Sequence, residues 1–117
     1  INLNKNLLFD IDWKGARKIR KNFSKKDIID FFILPPTVRE LKKRLNKRGR
    51  DNKNEINLRL SYALDEIKHY KEYKYILINQ NIYETTKNLI KIIEYNLFLE
   101  KNSNLLSSSL KKLINFK

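Results

Sequence analysis

This 117-residue chain contains no methionine and no cysteine, and it has only two glycines and two prolines. Without cysteine there can be no disulfide and no thiolate metal ligand, a composition that fits a reducing compartment. Without methionine the chain opens on Ile1, and a processed or truncated product is the natural expectation. Two glycines, Gly15 and Gly49, cannot build a glycine-rich phosphate loop, and no G-x-x-x-x-G-K-[ST] run exists. His69 is the only histidine, so a histidine metal cluster is excluded and packing or capping is its expected role. Long apolar runs are missing as well: "FFIL" and "YILI" are far too short to span a bilayer, and the N-terminus has no signal-peptide pattern. A cytoplasmic protein with no membrane partner is expected.

Positive charge is what the chain has in excess. Its 26 Lys and Arg against 13 Asp and Glu give a formal +13, a balance that ordinarily points to a polyanion such as nucleic acid. Lysine (19), asparagine (15) and isoleucine (15) are all abundant while arginine numbers only 7, the pattern of an AT-rich genome drifting toward AAA, AAT and ATT codons. Much of the lysine then reads as solvated surface. No nucleic-acid partner is expected, and the few arginines become the informative cations.

The hydrophobic pattern gives strands alternating with helices. "NLLFDID", "DIIDFFIL" and "YKYILIN" read as buried strands, since short continuous apolar runs suit strands covered on both faces. "WKGARKIRKNF" reads as a helix, and a second begins at Thr37, where Glu40 stands at the capping-box spacing. That helix, "VRELKKRLNKR", ends at Gly49. In "EINLRLSYALDEIKHY", Ile56, Leu60, Ala63, Leu64 and Ile67 fall on one helical face. "IYETTKNLIKIIEYNLFLE" is a long amphipathic helix and "SSSLKKLINFK" a separate short one. The expected class is α/β with a parallel sheet. Residues 1–36 would form a strand-helix-strand part of the core, 37–70 a helix and an arginine-bearing hairpin, 71–100 the last core strand and helix, and 101–117 a tail helix.

A parallel sheet binds ligands beyond the carboxyl ends of its strands. Asp10 and Asp12 close the first expected strand, Pro35 and Pro36 the second, and Asn79 and Gln80 the third, so all should open on one edge. Two roles suit Asp10 and Asp12: holding water around Mg²⁺ or a polar ligand, or capping the helix that follows. Arg44 and Arg48 lie four residues apart on one helix face, and Arg59 follows beyond the turn. Three guanidiniums on a hinged hairpin suit either a lid over phosphates or a solvated charged surface.

The stretches "FDIDWKGARKIR", "FFILPP", "ELKKRLNKRGRD" and "LRLSYALDEIKHYKEYKYILIN" together resemble bacterial guanylate kinase, in the same order and spacing, from about Leu7 to Ile93. The resemblance implies a P-loop NTPase-like nucleoside monophosphate kinase core with a helical lid. It implies transfer of the γ-phosphoryl group of ATP to GMP, with Mg²⁺, in purine nucleotide metabolism. Position by position, Arg48 and Arg59 match the lid arginines that clamp the transferring group, and Arg44 matches the one lying against adenine. Asn79, with Gln80 beside it, matches the ATP-side strand end; Asp10 and Asp12 match the pair on the GMP and metal side, and Gly15 the glycine that brings the helix start close to the site. No residue is assigned directly to the metal.

Four positions depart from the family pattern: Lys14 replaces a glutamine, Lys74 an acid, and Gln80 and Asn81 an acidic pair. The phosphate loop and the residues that hold the GMP phosphate are not in the chain, which is therefore expected to be about the C-terminal half of an enzyme, inactive by itself. A non-catalytic guanylate-kinase-like binding module and a basic nucleic-acid binder are the alternatives, and a homo-oligomer stays open.

Overall fold

The computed structural model describes residues 6–46 and 52–115. Its elements are α1 (Trp13–Asn22), β1 (Phe31–Leu34), α2 (Val38–Asn46), α3 (Lys53–Ile67), β2 (Tyr75–Ile78) and α4 (Ile82–Ile114), with single 3₁₀ turns at Lys25–Asp27 and Tyr70–Glu72. β1 and β2 pair in parallel, Phe31 opposite Tyr75 through Leu34 opposite Ile78. A parallel pair needs a crossover, and here α2 and α3 supply it, packing against each other as a helical pair.

Local chemistry accounts for the helix boundaries. Asp12 caps α1 by accepting from the Gly15 N–H at 2.8 Å. Thr37 Oγ1 accepts from Glu40 N at 3.0 Å, the bond that the capping-box spacing anticipates. Asn52 caps α3 through Glu55 N, and Asn81 caps α4 by accepting from both Tyr83 N and Glu84 N. Each such acceptor satisfies amide donors that have no partner within the helix.

Two expectations fail. "NLLFDID" forms no strand among the described residues: residues 6–12 have no ladder partner and are exposed, Leu8 at 95%. A strand is defined by its neighbour, and the described sheet has only two members, so apolar sequence alone does not produce one. The two C-terminal helices are also a single one, α4, which runs through residue 101 without a break. No glycine or proline interrupts 82–114, and the Asn and Ser residues between 102 and 109 are weak helix formers that do not terminate a helix.

Packing is thin. Ala16, Phe32 and Thr85 are the described residues under a tenth exposed. Phe32 meets Tyr73 edge to face at 4.9 Å, and Phe31 stacks on Tyr75 at 5.5 Å. On α3, Ile56, Leu60, Ala63 and Ile67 are half-buried as their spacing predicts, while Leu64 is exposed. From Leu97 onward α4 carries its leucines into solvent, which draws the molecule out to 75 × 30 × 26 Å.

Candidate functional site

The carboxyl ends of β1 and β2 lie side by side because the strands are parallel. Asn79, immediately after β2, donates its N–H to Leu34 O at 2.7 Å and so extends the pairing by one residue. Its carbonyl accepts from Arg44 Nη2 at 2.9 Å. Arg44 also stands 3.5 Å from Glu40 one turn back on α2, so a carboxylate steadies the guanidinium whose fork reaches the strand end. The Asn79 side chain points to the first turn of α4, where the Thr85 hydroxyl donates to Oδ1 at 3.0 Å. Gln80 donates its N–H to Ile78 O and is exposed.

The arginine hairpin is seen in part. Arg44 sits at the strand end, Arg59 is half-buried on α3, and Arg48 and Gly49 lie outside the described residues. Asp12 spends Oδ1 on its helix cap, in line with the capping alternative, and Asp10 is exposed. A Cβ at Gly15 would come 3.2 Å from Ile11 Cβ and 3.3 Å from Asp12 Oδ1, so glycine relieves crowding against its own N-cap. No group of three or more metal-ligating side chains occurs among the described residues. Among the described residues no such group forms around Asp10 and Asp12.

Beside this edge lies an open cavity of roughly 670 Å³ whose wall includes Leu8, Phe9, Asp10, Phe32, Ile67 and Leu89. Asn79, Gln80, Arg44 and Arg59 are not part of its wall. Asp10 therefore borders an apolar hollow, and the polar constellation at the strand end is separate from it.

A charged network fixes α1 against the segment before β2. Glu72 accepts from Arg17 Nε at 2.6 Å and Nη2 at 2.9 Å, and from His69 Nδ1 at 2.6 Å. The Arg17 fork, followed by His69, holds the Glu72 carboxyl down at about 2 against an ordinary 4.5. The same bond raises the Arg17 guanidinium. Burial, then the nearby Glu66 charge, pushes the Tyr73 phenol up. His69 stacks on Trp13 with ring centroids 3.8 Å apart, the packing role expected of it, while Arg17 lies 4.5 Å over the same indole. Asp30 is among the residues that sequence reading missed: Oδ2 accepts from Arg20 Nε at 2.7 Å and Oδ1 from Lys74 N at 2.8 Å, tying α1 to the entrances of both strands. Its only sequence signal is its place before "FFIL", which any polar residue could occupy.

Comparison with known proteins settles the family. The family model described as "Guanylate kinase" matches residues 1–96 of the 117. The chain belongs to the guanylate kinase family. Curated guanylate kinases from Rickettsia prowazekii and Blochmanniella pennsylvanica are 45% and 48% identical to it over 87 and 81 residues, covering 74% and 69% of this chain. Those segments are 43% and 38% of the two relatives, so the chain spans about two fifths of the length of the proteins it matches. A crystal structure of guanylate kinase from Anaplasma phagocytophilum superposes with a TM-score of 0.58 at 30% identity, covering 73% of this chain and 38% of that one. This likeness carries the P-loop NTPase-like fold class, of which the two-stranded parallel sheet and its crossover helices are a part.

Two of the departures that the resemblance implies find local answers. Asn81, where the resemblance leads one to expect an acid, caps α4 through its side-chain oxygen, a role aspartate also fills. Lys74 gives its backbone N–H to Asp30 and lies 3.4 Å from Asn96 Oδ1 through its ammonium. No helix among the described residues is long and apolar enough to cross a membrane.

Proposed function

We propose that this chain is the lid and strand-end portion of an enzyme that transfers the γ-phosphoryl group of ATP to GMP. The observation that carries the reading is the Arg44–Asn79 bond, which fastens the arginine-bearing helix to the carboxyl end of a parallel strand. In such a sheet that edge is where a nucleotide sits. Arg44, Asn79 and Gln80 take the ATP side, and Arg48 and Arg59 close on the transferring phosphoryl. Asp10, Asp12 and Gly15 belong to the GMP side.

Phosphoryl transfer asks little covalent chemistry of a protein. It asks for cations placed where negative charge spreads in the transition state. Guanidiniums suit this because each fork meets two oxygens at once and stays charged. Magnesium accompanying ATP would neutralise phosphate charge, and none of these residues is assigned to hold it.

The test is steady-state kinetics on the full-length enzyme with ATP and GMP. Arg48→Ala and Arg59→Ala should lower kcat by a factor on the order of 10³, the lower range for a charge-stabilising arginine in related phosphoryl transfer, with little change in KM. Values within a few-fold of wild type for both would overturn the assignment. Absence of turnover with retained peptide binding would favour a non-catalytic module, and tight duplex-DNA binding with a steep salt slope a nucleic-acid binder.

A further inference from the structure

We propose that Thr85 is a positioning residue that sets the carboxamide of Asn79 for the base of the phosphoryl donor; the inference rests on the nucleotide role given to Asn79 above. Thr85 is 7% exposed and is the one polar residue among the three buried ones described. Its hydroxyl lies 3.0 Å from Asn79 Oδ1 and 3.0 Å from Asn81 O, the carbonyl one turn back, which also accepts from Thr85 N. A hydroxyl carries one proton, so the two oxygens share it. This bridge joins the ATP-side strand end to the first turn of α4.

Asn79 is thereby held at three of its four polar groups. Its N–H goes to Leu34 O, its carbonyl accepts from Arg44, and Oδ1 accepts from Thr85. Nδ2 has no protein acceptor among the described residues, and a carboxamide directs its nitrogen away from its oxygen. With Oδ1 turned to Thr85, the two amide N–H donors face away from α4. Such a pair recognises a hydrogen-bond acceptor on the edge of a base, for example a ring nitrogen of adenine. Without the hydroxyl, the carboxamide is free to rotate about its terminal torsion, which is broad and roughly two-fold. It then presents oxygen to the ligand part of the time, which repels an acceptor.

Kinetics of the full-length enzyme with ATP, in a double-mutant cycle with Asn79→Ala, test this. Thr85→Ala and Thr85→Val should each raise KM for ATP roughly three- to tenfold, the range of one neutral hydrogen bond, with kcat within about twofold. Thr85→Ser keeps the hydroxyl and should stay near wild type. In the Asn79→Ala background, Thr85→Ala should add almost nothing, because the group it orients is gone. An equal rise in both backgrounds, or no rise in wild type while Asn79→Ala raises KM, would overturn the positioning role alone. An unchanged KM in Asn79→Ala would overturn the nucleotide role of Asn79 and the proposal with it. A second reading keeps folding apart from binding: the Asn79 side-chain amide resonances should move in Thr85→Ala and return in Thr85→Ser, with the rest of the spectrum preserved.

Discussion

Removing the Asp30 carboxylate should be the most damaging single polar change outside the strand end. Asp30 joins three elements: Oδ2 to Arg20 on α1, Oδ1 to the backbone of Lys74, and its own carbonyl to Tyr75 N at the start of β2. The side chains of Arg20 and Asp30 are 25% and 20% exposed, so solvent screens the pair in part. Hydrogen bonds to charged groups contribute roughly 1.5–3 kcal/mol each before such screening. Arg20 keeps a weaker contact, Nη1 to Glu72 Oε1 at 3.8 Å, but its Nη2 is already buried without a partner. Asp30→Ala should therefore cost about 2–3 kcal/mol, lowering the urea midpoint of the full-length enzyme by roughly 1 M. Asp30→Asn should not rescue fully, because an amide that accepts from Lys74 turns its NH₂ toward the donor Arg20 Nε. Adding Arg20→Met to Asp30→Ala should cost less than the two single changes summed, since no uncompensated cation is left. A loss under about 0.5 kcal/mol for Asp30→Ala, or strict additivity in the cycle, would refute the reasoning.

Arg44→Ala removes the donor to Asn79 O, and because Arg44 is 38% exposed the loss should be near 1 kcal/mol, a rise of about fivefold in KM for ATP with kcat little changed; an unchanged KM would detach Arg44 from the site. Glu72 has a folded value near 2 against 4.5, so its contribution is complete above pH 4.5 and disappears as pH falls through 2. Glu72→Gln should flatten stability against pH across that window in urea melts, and parallel wild-type and mutant curves would contradict this. Asn81→Ala should cost about 1 kcal/mol as a lost cap, while Asn81→Asp should hold or gain a few tenths from the helix dipole; equal thermal midpoints for Ala and wild type would deny the cap its role.

Much of this fold is legible because its signals are local. The caps at Asp12, Thr37 and Asn81 involve residues two or three apart, and the helices over Trp13–Asn22 and Val38–Asn46 follow from an apolar spacing that needs no distant partner. The strands at Phe31–Leu34 and Tyr75–Ile78 fall inside the apolar runs that predict them. "NLLFDID" misleads for the complementary reason: its run has the same composition, but a ladder requires a neighbour, and the described sheet provides none. The break expected before the tail helix fails because serine and asparagine lower helix propensity without forbidding it.

By itself the sequence determined the family, the α/β alternation and the set of arginines available for charge stabilisation, since each depends on residue identity and spacing along the chain. Tertiary structure decided which polar groups meet. Arg44 reaches Asn79 across 35 positions and Arg17 reaches Glu72 across 55, and those pairings exist only because a parallel crossover and a helix packed on it bring distant backbone together. Thr85, an unremarkable helix residue in the linear text, gains its role from the turn of α4 that sets its hydroxyl against the strand end.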